Sequence, residues 1–289
     1  MSEDKSISLI NLGGLSKAAD TLITKVSAAI GGMFGPWQVK RLAKAEAEAS
    51  LVKAKAEIEI TDLHRRAMHR FVEEEAKRQE NMEKITEKAI LHLHEGSDPS
   101  KMEDDWVTNF FDKSRIVSDG EMQSFWAKVL AGEANTPGTY SKRTVNFLAD
   151  LDKRDAELFQ TLCGFGWHID NIFNPLVFEY IAPVYNDNGI NFESLMHLNS
   201  IGLIQFNHSP GFSQTELPMI FKAQYGSETL ILKMKKDKDN DLSIGRVLLT
   251  QVGKELSHVC QPTCVDGFFD YIKNKWKVYL LEETTEPPN

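Results

Sequence analysis

The chain has 289 residues, 42% hydrophobic and 26% charged, a make-up of soluble proteins long enough for two domains and a sizeable core. A net charge of −9 argues against a general nucleic-acid binder and leaves only local basic patches to consider. Three cysteines (Cys163, Cys260, Cys264) make no disulfide framework and point to a reducing, cytoplasmic setting, and no stretch reaches the ~20 apolar residues of a membrane span.

The opening Met1-Ser2-Glu3-Asp4 is acidic where a secretory signal is basic. Residues 1–37 form a first segment. In it Leu15, Leu22, Ile23, Val26, Ile30 and Phe34 recur at helical spacing and share one face. Two readings follow. One is an interfacial helix at the inner face of a membrane, with Trp37 at headgroup level and Lys40, Arg41 and Lys44 turned to anionic lipid. The other is a helix packed on protein, either the chain's own core or a neighbouring subunit. Both need the apolar face covered.

Residues 38–96 read as a long helical arm. Gly and Pro are absent from 38–95 and strong helix formers dominate. The apolar seam is thin, with Leu63, Met68, Phe71, Val72, Met82, Ile85 and Ala89 among its members. Pairs at i,i+4 (Glu73 with Lys77, Glu74 with Arg78, Glu80 with Lys84) add only about 0.2–0.5 kcal/mol each. So polar a helix is expected to pack on copies of itself, making a homo-oligomer, or on the following domain; a spacer helix with breaks near Thr61 or Gln79 is the plainer alternative. His64, His69, His92 and His94 lack the i,i+4 spacing of helical metal ligands. Cys260 and Cys264 find only His258 nearby, short of a zinc set, and read as buried free thiols. No metal and no cofactor are expected.

Gly96, Asp98 and Pro99 mark a boundary, and 97–166 reads as a central module of four helices. The first carries Trp106, Phe110 and Phe111. The second opens on a capping box from Ser118 to Glu121 and carries Phe125 and Trp126. The third starts near Ser141, and the fourth is capped by Asp152. The aromatics read as core. In the loop, Glu133 and Arg143 are placed to pair across Pro137-Gly138; an anion site at Arg143, Lys142 and Ser141 is the alternative.

Several stretches here carry a resemblance: Asp105-Trp106, Phe110-Phe111, Trp126-Ala127-Lys128-Val129-Leu130-Ala131-Gly132-Glu133, Pro137-Gly138, Arg143-Thr144 and Asp155-Ala156-Glu157-Leu158-Phe159. They resemble an uncharacterised bacterial family, a domain of unknown function often placed among phage-defence genes. The chain is also distantly similar to the alpha class of abortive-infection proteins. The resemblance implies a defence setting. It supplies no reaction and no catalytic residues.

Residues 167–282 change character, and 283–289 read as a disordered tail. Strand-favouring runs at 203–206, 217–224, 229–234 and 244–249 are broken by turns at 225–228 and 237–241. Pro218 places its strand at an edge or makes it start later. A capped helix at 191–202 leads through Gly202-Leu203-Ile204, and Leu249-Thr250-Gln251-Val252-Gly253 opens another helix. That order predicts a winged-helix-like domain. Its candidate recognition helix offers Glu193, His197 and Asn199 and no Lys or Arg, while Lys233, Lys235 and Lys236 lie by the hairpin beside Asp237, Asp239 and Asp241.

The fold expected is therefore α+β, mainly α: a long N-terminal helical arm, a central helical module and a C-terminal winged-helix-like domain. The function expected is non-enzymatic interaction and assembly, with a protein trigger or partner. The alternative is a winged-helix nucleic-acid-binding regulator, with Lys233, Lys235 and Lys236 as its contacts. No carboxylates or histidines are paired at spacings that chemistry requires.

Overall fold

The computed structural model describes residues 16–30 and 61–281 of the chain. The chain divides into two compact units, Met1–Ala149 and Asp150–Asn289. The described part mixes helices with small antiparallel sheets. The expected fourth helix of the central module falls on the second side of this division.

The first unit is helical. Helix α1 (Lys17–Ala29) is capped by Ser16, whose side chain accepts from Ala19 N. Helix α2 (Asp62–Ile90) follows, then a 3-10 turn at Pro99–Lys101, α3 (Asp104–Ser114), α4 (Gly120–Asn135) and α5 (Lys142–Ala149). The arm helix does not run through Thr61. That residue is extended (φ −57, ψ 154) and its hydroxyl accepts from His64 N, so it caps α2. The helix stops at Ile90, before Gly96 is reached. Two of the expected i,i+4 pairs form, Glu74 with Arg78 at 3.7 Å and Glu80 with Lys84 at 2.8 Å.

The core of this unit is aromatic. Trp106 stacks on Phe110 at 5.1 Å, and Phe110 meets Phe111 and Trp126 edge-on, each at 5.1 Å. Helix α4 is capped by Asp119, which accepts from Glu121 N and Met122 N, rather than by the Ser118 box. An Asp one residue nearer the helix reaches both orphan amides by itself.

The second unit begins with α6 (Lys153–Cys163) and the strands β1 (Gly166–Ile169) and β2 (Ile172–Pro175). This hairpin turns through Asp170 and Asn171, at φ 47 and 68, the left-handed pair that a two-residue turn requires. Then come α7 (Pro183–Asn186), α8 (Phe192–Ser200), β3 (Ile204–Phe206), β4 (Phe212–Leu217), β5 (Ile220–Tyr225), β6 (Glu228–Lys233), β7 (Asn240–Gly245), β8 (Val247–Leu249), α9 (Gln251–Ser257) and α10 (Phe268–Lys275). Strands β2-β1-β5-β6 make one sheet, β3 pairs β8, and β4 pairs β7.

Pro218 ends β4, and β5 starts at Ile220, as a residue without an N–H dictates. Helix α9 begins where Thr250 caps it, accepting from Gly253 N at 3.1 Å. A Cβ on Gly253 would sit 2.1 Å from Leu203 O, so only glycine lets α9 close on the start of β3. The core gathers Trp167, which stacks on Tyr225 at 5.2 Å, with Phe165, Tyr185 and Phe268.

Candidate functional site

Helix α2 has two unlike halves. From Asn81 onward it is docked, with Asn81, Glu83, Ile85, Thr86 and Ala89 buried, and its main partner in packing is α4. Polar clamps fix the register. Asn81 Nδ2 donates to Arg115 O at 2.9 Å. Gln123 Nε2 donates to Asn81 Oδ1 at 3.2 Å and to Val117 O at 3.0 Å. Lys88 Nζ donates to Gly120 O at 2.7 Å, and burial pulls its pKa below the usual lysine value. Past the helix end, Asn135 Nδ2 donates to His92 O at 3.0 Å while its Oδ1 accepts from His94 N at 2.9 Å.

Residues 62–80 lie along the surface of their unit. Leu63 is 66% exposed, Phe71 62%, Met68 43% and Val72 40%. At 3.6 residues per turn, Met68, Phe71, Glu75, Arg78, Met82, Ile85 and Ala89 follow one another in steps of three and four. The seam that docks on α4 therefore continues across Phe71 and Met68, where among the described residues nothing buries it. Glu75 and Arg78 bridge the two parts and pair with each other. Charge along this half runs Asp62, then Arg65, Arg66 and Arg70, then Glu73, Glu74 and Glu75, then Lys77, Arg78 and Glu80.

The N-terminal helix has a different fate. Leu22 and Val26 are fully buried, with α1 packed on α3 and on the 3-10 turn. Ile23 and Ile30 are half-buried, and Lys25 Nζ lies 2.5 Å from Asp104 Oδ1. Of the apolar face, Leu22 and Val26 are thus spent inside the first unit, while Ile23 and Ile30 are covered only in part. Leu15, Phe34, Trp37, Lys40, Arg41 and Lys44 lie outside the described residues. Among the described residues, no helix is long and apolar enough to cross a membrane.

The motif residues of the central module hold one loop in shape. Trp106 Nε1 donates to Tyr140 O at 2.7 Å, and Trp126 is fully buried. Glu133 is 2% exposed. Its carboxylate does not pair with Arg143, which is exposed. It accepts instead from Gly138 N at 2.6 Å and Tyr140 N at 2.9 Å, closing the Pro137-Gly138 turn onto α4. Burial pushes its pKa above the usual carboxylate range, and the backbone amides oppose that shift. Of the basic residues at the start of α5, Lys142 lies 3.5 Å from Asp105.

A cleft of about 370 Å³ in the second unit is lined by Cys163, His168, Phe173, Tyr225 and Cys264, among others. The fold brings Cys163 beside Cys260, a proximity that spacing along the chain does not reveal. The hydrogen bond with Cys260, then burial, pushes the Cys163 thiol well above its usual value. Tyr225 OH accepts from Val265 N at 2.5 Å and donates to Gly164 O at 2.8 Å. Cys264, expected to be buried, is exposed. Among the described residues no group of His, Cys, Asp and Glu could hold a metal.

Lys233 ends β6, and Lys235 and Lys236 sit in the exposed turn before β7. Helix α8, the candidate recognition helix, exposes Phe192 (49%) and Met196 (44%), while His197 Nε2 is 2.7 Å from Asp155 Oδ1. Phe192 joins Tyr180 and Phe206 in a ring cluster with centroids 5.7 to 5.9 Å apart. Sequence reasoning passed over this cluster because Tyr180 comes from an irregular segment with no periodicity to read.

A helical unit and a mixed unit of helices and small antiparallel sheets define a two-unit α and β protein. The chain belongs to the family described as Protein of unknown function (DUF2806), whose profile matches residues 65–273. No curated protein and no solved structure matches it.

Proposed function

We propose that this protein works without chemistry of its own, as a self-assembling interaction protein. One observation carries the reading: the apolar seam of α2 runs on beyond its own cover, leaving Met68 and Phe71 43% and 62% exposed on a regular helix. Exposed large apolar residues in a row mark an interaction surface. The cleft supports the same reading, because a buried thiol with a raised pKa is a poor nucleophile.

In the second unit, we read the order α8, β3, β8, α9 as winged-helix-like, with β4 to β7 inserted as an enlarged wing. Its α8 presents Phe192 and Met196 where phosphate contacts need Lys or Arg, which favours a protein partner over DNA. The resemblance to families found among phage-defence genes suggests that assembly and partner binding serve defence. A membrane role for α1 is not part of the proposal, since Leu22 and Val26 are core residues.

Sedimentation of the full chain tests the assembly. Wild type is expected to sediment as an oligomer at micromolar concentration, and Met68→Ser with Phe71→Ser to shift it toward monomer. A wild type that stays monomeric contradicts the proposal.

A further inference from the structure

The strand order β2-β1-β5-β6 leaves β6 (Glu228–Lys233) at the edge of its sheet. An edge strand carries a row of backbone groups with no neighbouring strand to meet them. Residues alternate along a strand, one bonding to one side and the next to the other. Ile231 O accepts from Leu281 N at 3.1 Å, on the side away from β5. The N–H and C=O of Thr229, two residues back, therefore point to that same open side. Among the described residues, no backbone group pairs with Thr229 there, and Thr229 is exposed.

The chain itself starts to cover this edge. After a 3-10 turn at Lys277–Tyr279, Leu280 is extended (φ −63, ψ 128) and bridges antiparallel to Leu232. Leu281 follows with its bond to Ile231. The two side chains, 41% and 44% exposed, belong to residues directly opposite each other. The expected disordered tail at 283–289, with Glu282 before it, lies outside the described residues.

From this start we infer that residues 282–284 carry the pairing on, as an added strand antiparallel to β6 that closes the open edge of the sheet. The bridge fixes the register: Glu282 opposite Leu230, Glu283 opposite Thr229 and Thr284 opposite Glu228. Glu283 is then the residue that exchanges both backbone bonds with Thr229, each N–H donating to the other's C=O. The lengths agree. Strand β6 begins at Glu228, so only Leu230, Thr229 and Glu228 are left to pair. Pro287 and Pro288, which cannot donate to a ladder, come only after that stretch. Thr284 is β-branched and suits an extended strand. Glu282 and Glu283 leave charge on the new edge, which guards it against a further strand from another chain.

Amide exchange resolved residue by residue by NMR tests this pairing. It is measured on the full chain, on the chain ended after Leu281, and on the full-length variants Glu283→Pro and Thr285→Pro. Proline at 283 removes the N–H that Thr229 O receives, whereas proline at 285 lies past the paired stretch. The Thr229 amide is expected to be protected in the full chain and in Thr285→Pro. It is expected to exchange ~10-fold or more faster in the truncated chain and in Glu283→Pro. The amides of Leu230 and Leu232 face β5 and are expected to stay protected throughout, which shows that the sheet is folded in each.

A Thr229 amide that is unprotected in the full chain would overturn the pairing. Protection that survives both the truncation and Glu283→Pro would overturn it as well, and would put a second chain on the edge.

Discussion

Ile85 and Phe71 lie on the same seam of α2, yet Ile85 is fully buried and Phe71 is 62% exposed. The difference is not in the helix. Both halves have regular geometry and the same three-and-four spacing of seam residues. What differs is the neighbour: from Asn81 onward the helix is buried, chiefly against α4, whereas among the described residues nothing buries Met68 and Phe71. The docked half also carries the polar clamps of Asn81 and Lys88, whereas the free half carries exposed ion pairs within the helix, such as Arg66 with Asp62 and Arg70 with Glu74. A helix face is apolar for whatever covers it, and the proposed assembly supplies the cover that the free half lacks among the described residues.

The comparison can be broken most sharply at its buried end. Ile85→Ala is expected to lower unfolding stability by about 2–5 kcal/mol, read by urea denaturation, because it leaves a cavity on α4. A loss no larger than that of a surface substitution would mean that this half is not docked. Asn81→Ala is expected to lose about 1–3 kcal/mol, since it leaves Arg115 O without its donor and Gln123 with one acceptor fewer.

The loop beside α4 gives a third test. Glu133→Ala is also expected to lose about 1–3 kcal/mol, by orphaning the amides of Gly138 and Tyr140. An Arg143→Ala change is expected to lose almost nothing. Equal losses from the two would restore the Glu133–Arg143 pair that the loop does not show.

Glu133 also gives the comparison a pH axis. Its folded pKa is raised above the ordinary 4.5. The folded state therefore holds a proton that the unfolded state has released. Its contribution is fully present below the unfolded value and is lost as pH rises through the folded one. Wild type measured against Glu133→Gln should lose relative stability as pH rises above 4.5, and the opposite slope would contradict the raised pKa. Smallest of all, Phe71→Ala is expected to change unfolding stability in dilute solution by no more than about 0.5 kcal/mol, while weakening association.

Much of the helical architecture is legible in the residues themselves. The Gly- and Pro-free run makes α2, Asp152 marks the start of α6, and Pro218 starts β5 late. Thr61 was legible as a break because Thr with Asp62 behind it makes a good cap. The hairpin of β1 and β2 went unread, although Asp170-Asn171 is a turn signal, because the flanking Gly166-Trp167-His168 run does not alternate cleanly.

The candidate site was legible in part. Met68 and Phe71 stand out as apolar residues in a polar helix, but spacing cannot say which half of a seam finds a cover inside the chain. The same limit applies to α1, whose apolar face reads equally as lipid-facing or core until the fold shows Leu22 and Val26 buried. Glu133 was legible as important and misread in its partner. A buried carboxylate takes the nearest donors, and the tight Pro137-Gly138 turn delivers backbone amides closer than any side chain.

Hydrogen exchange along α2, measured on the full chain at low and at high protein concentration, tests the central claim most directly. The account predicts that amides of 81–90 are protected equally at both concentrations. It also predicts that amides of 62–80 gain protection as concentration rises and lose that gain in Met68→Ser with Phe71→Ser. Protection of 62–80 that is the same at both concentrations would contradict it.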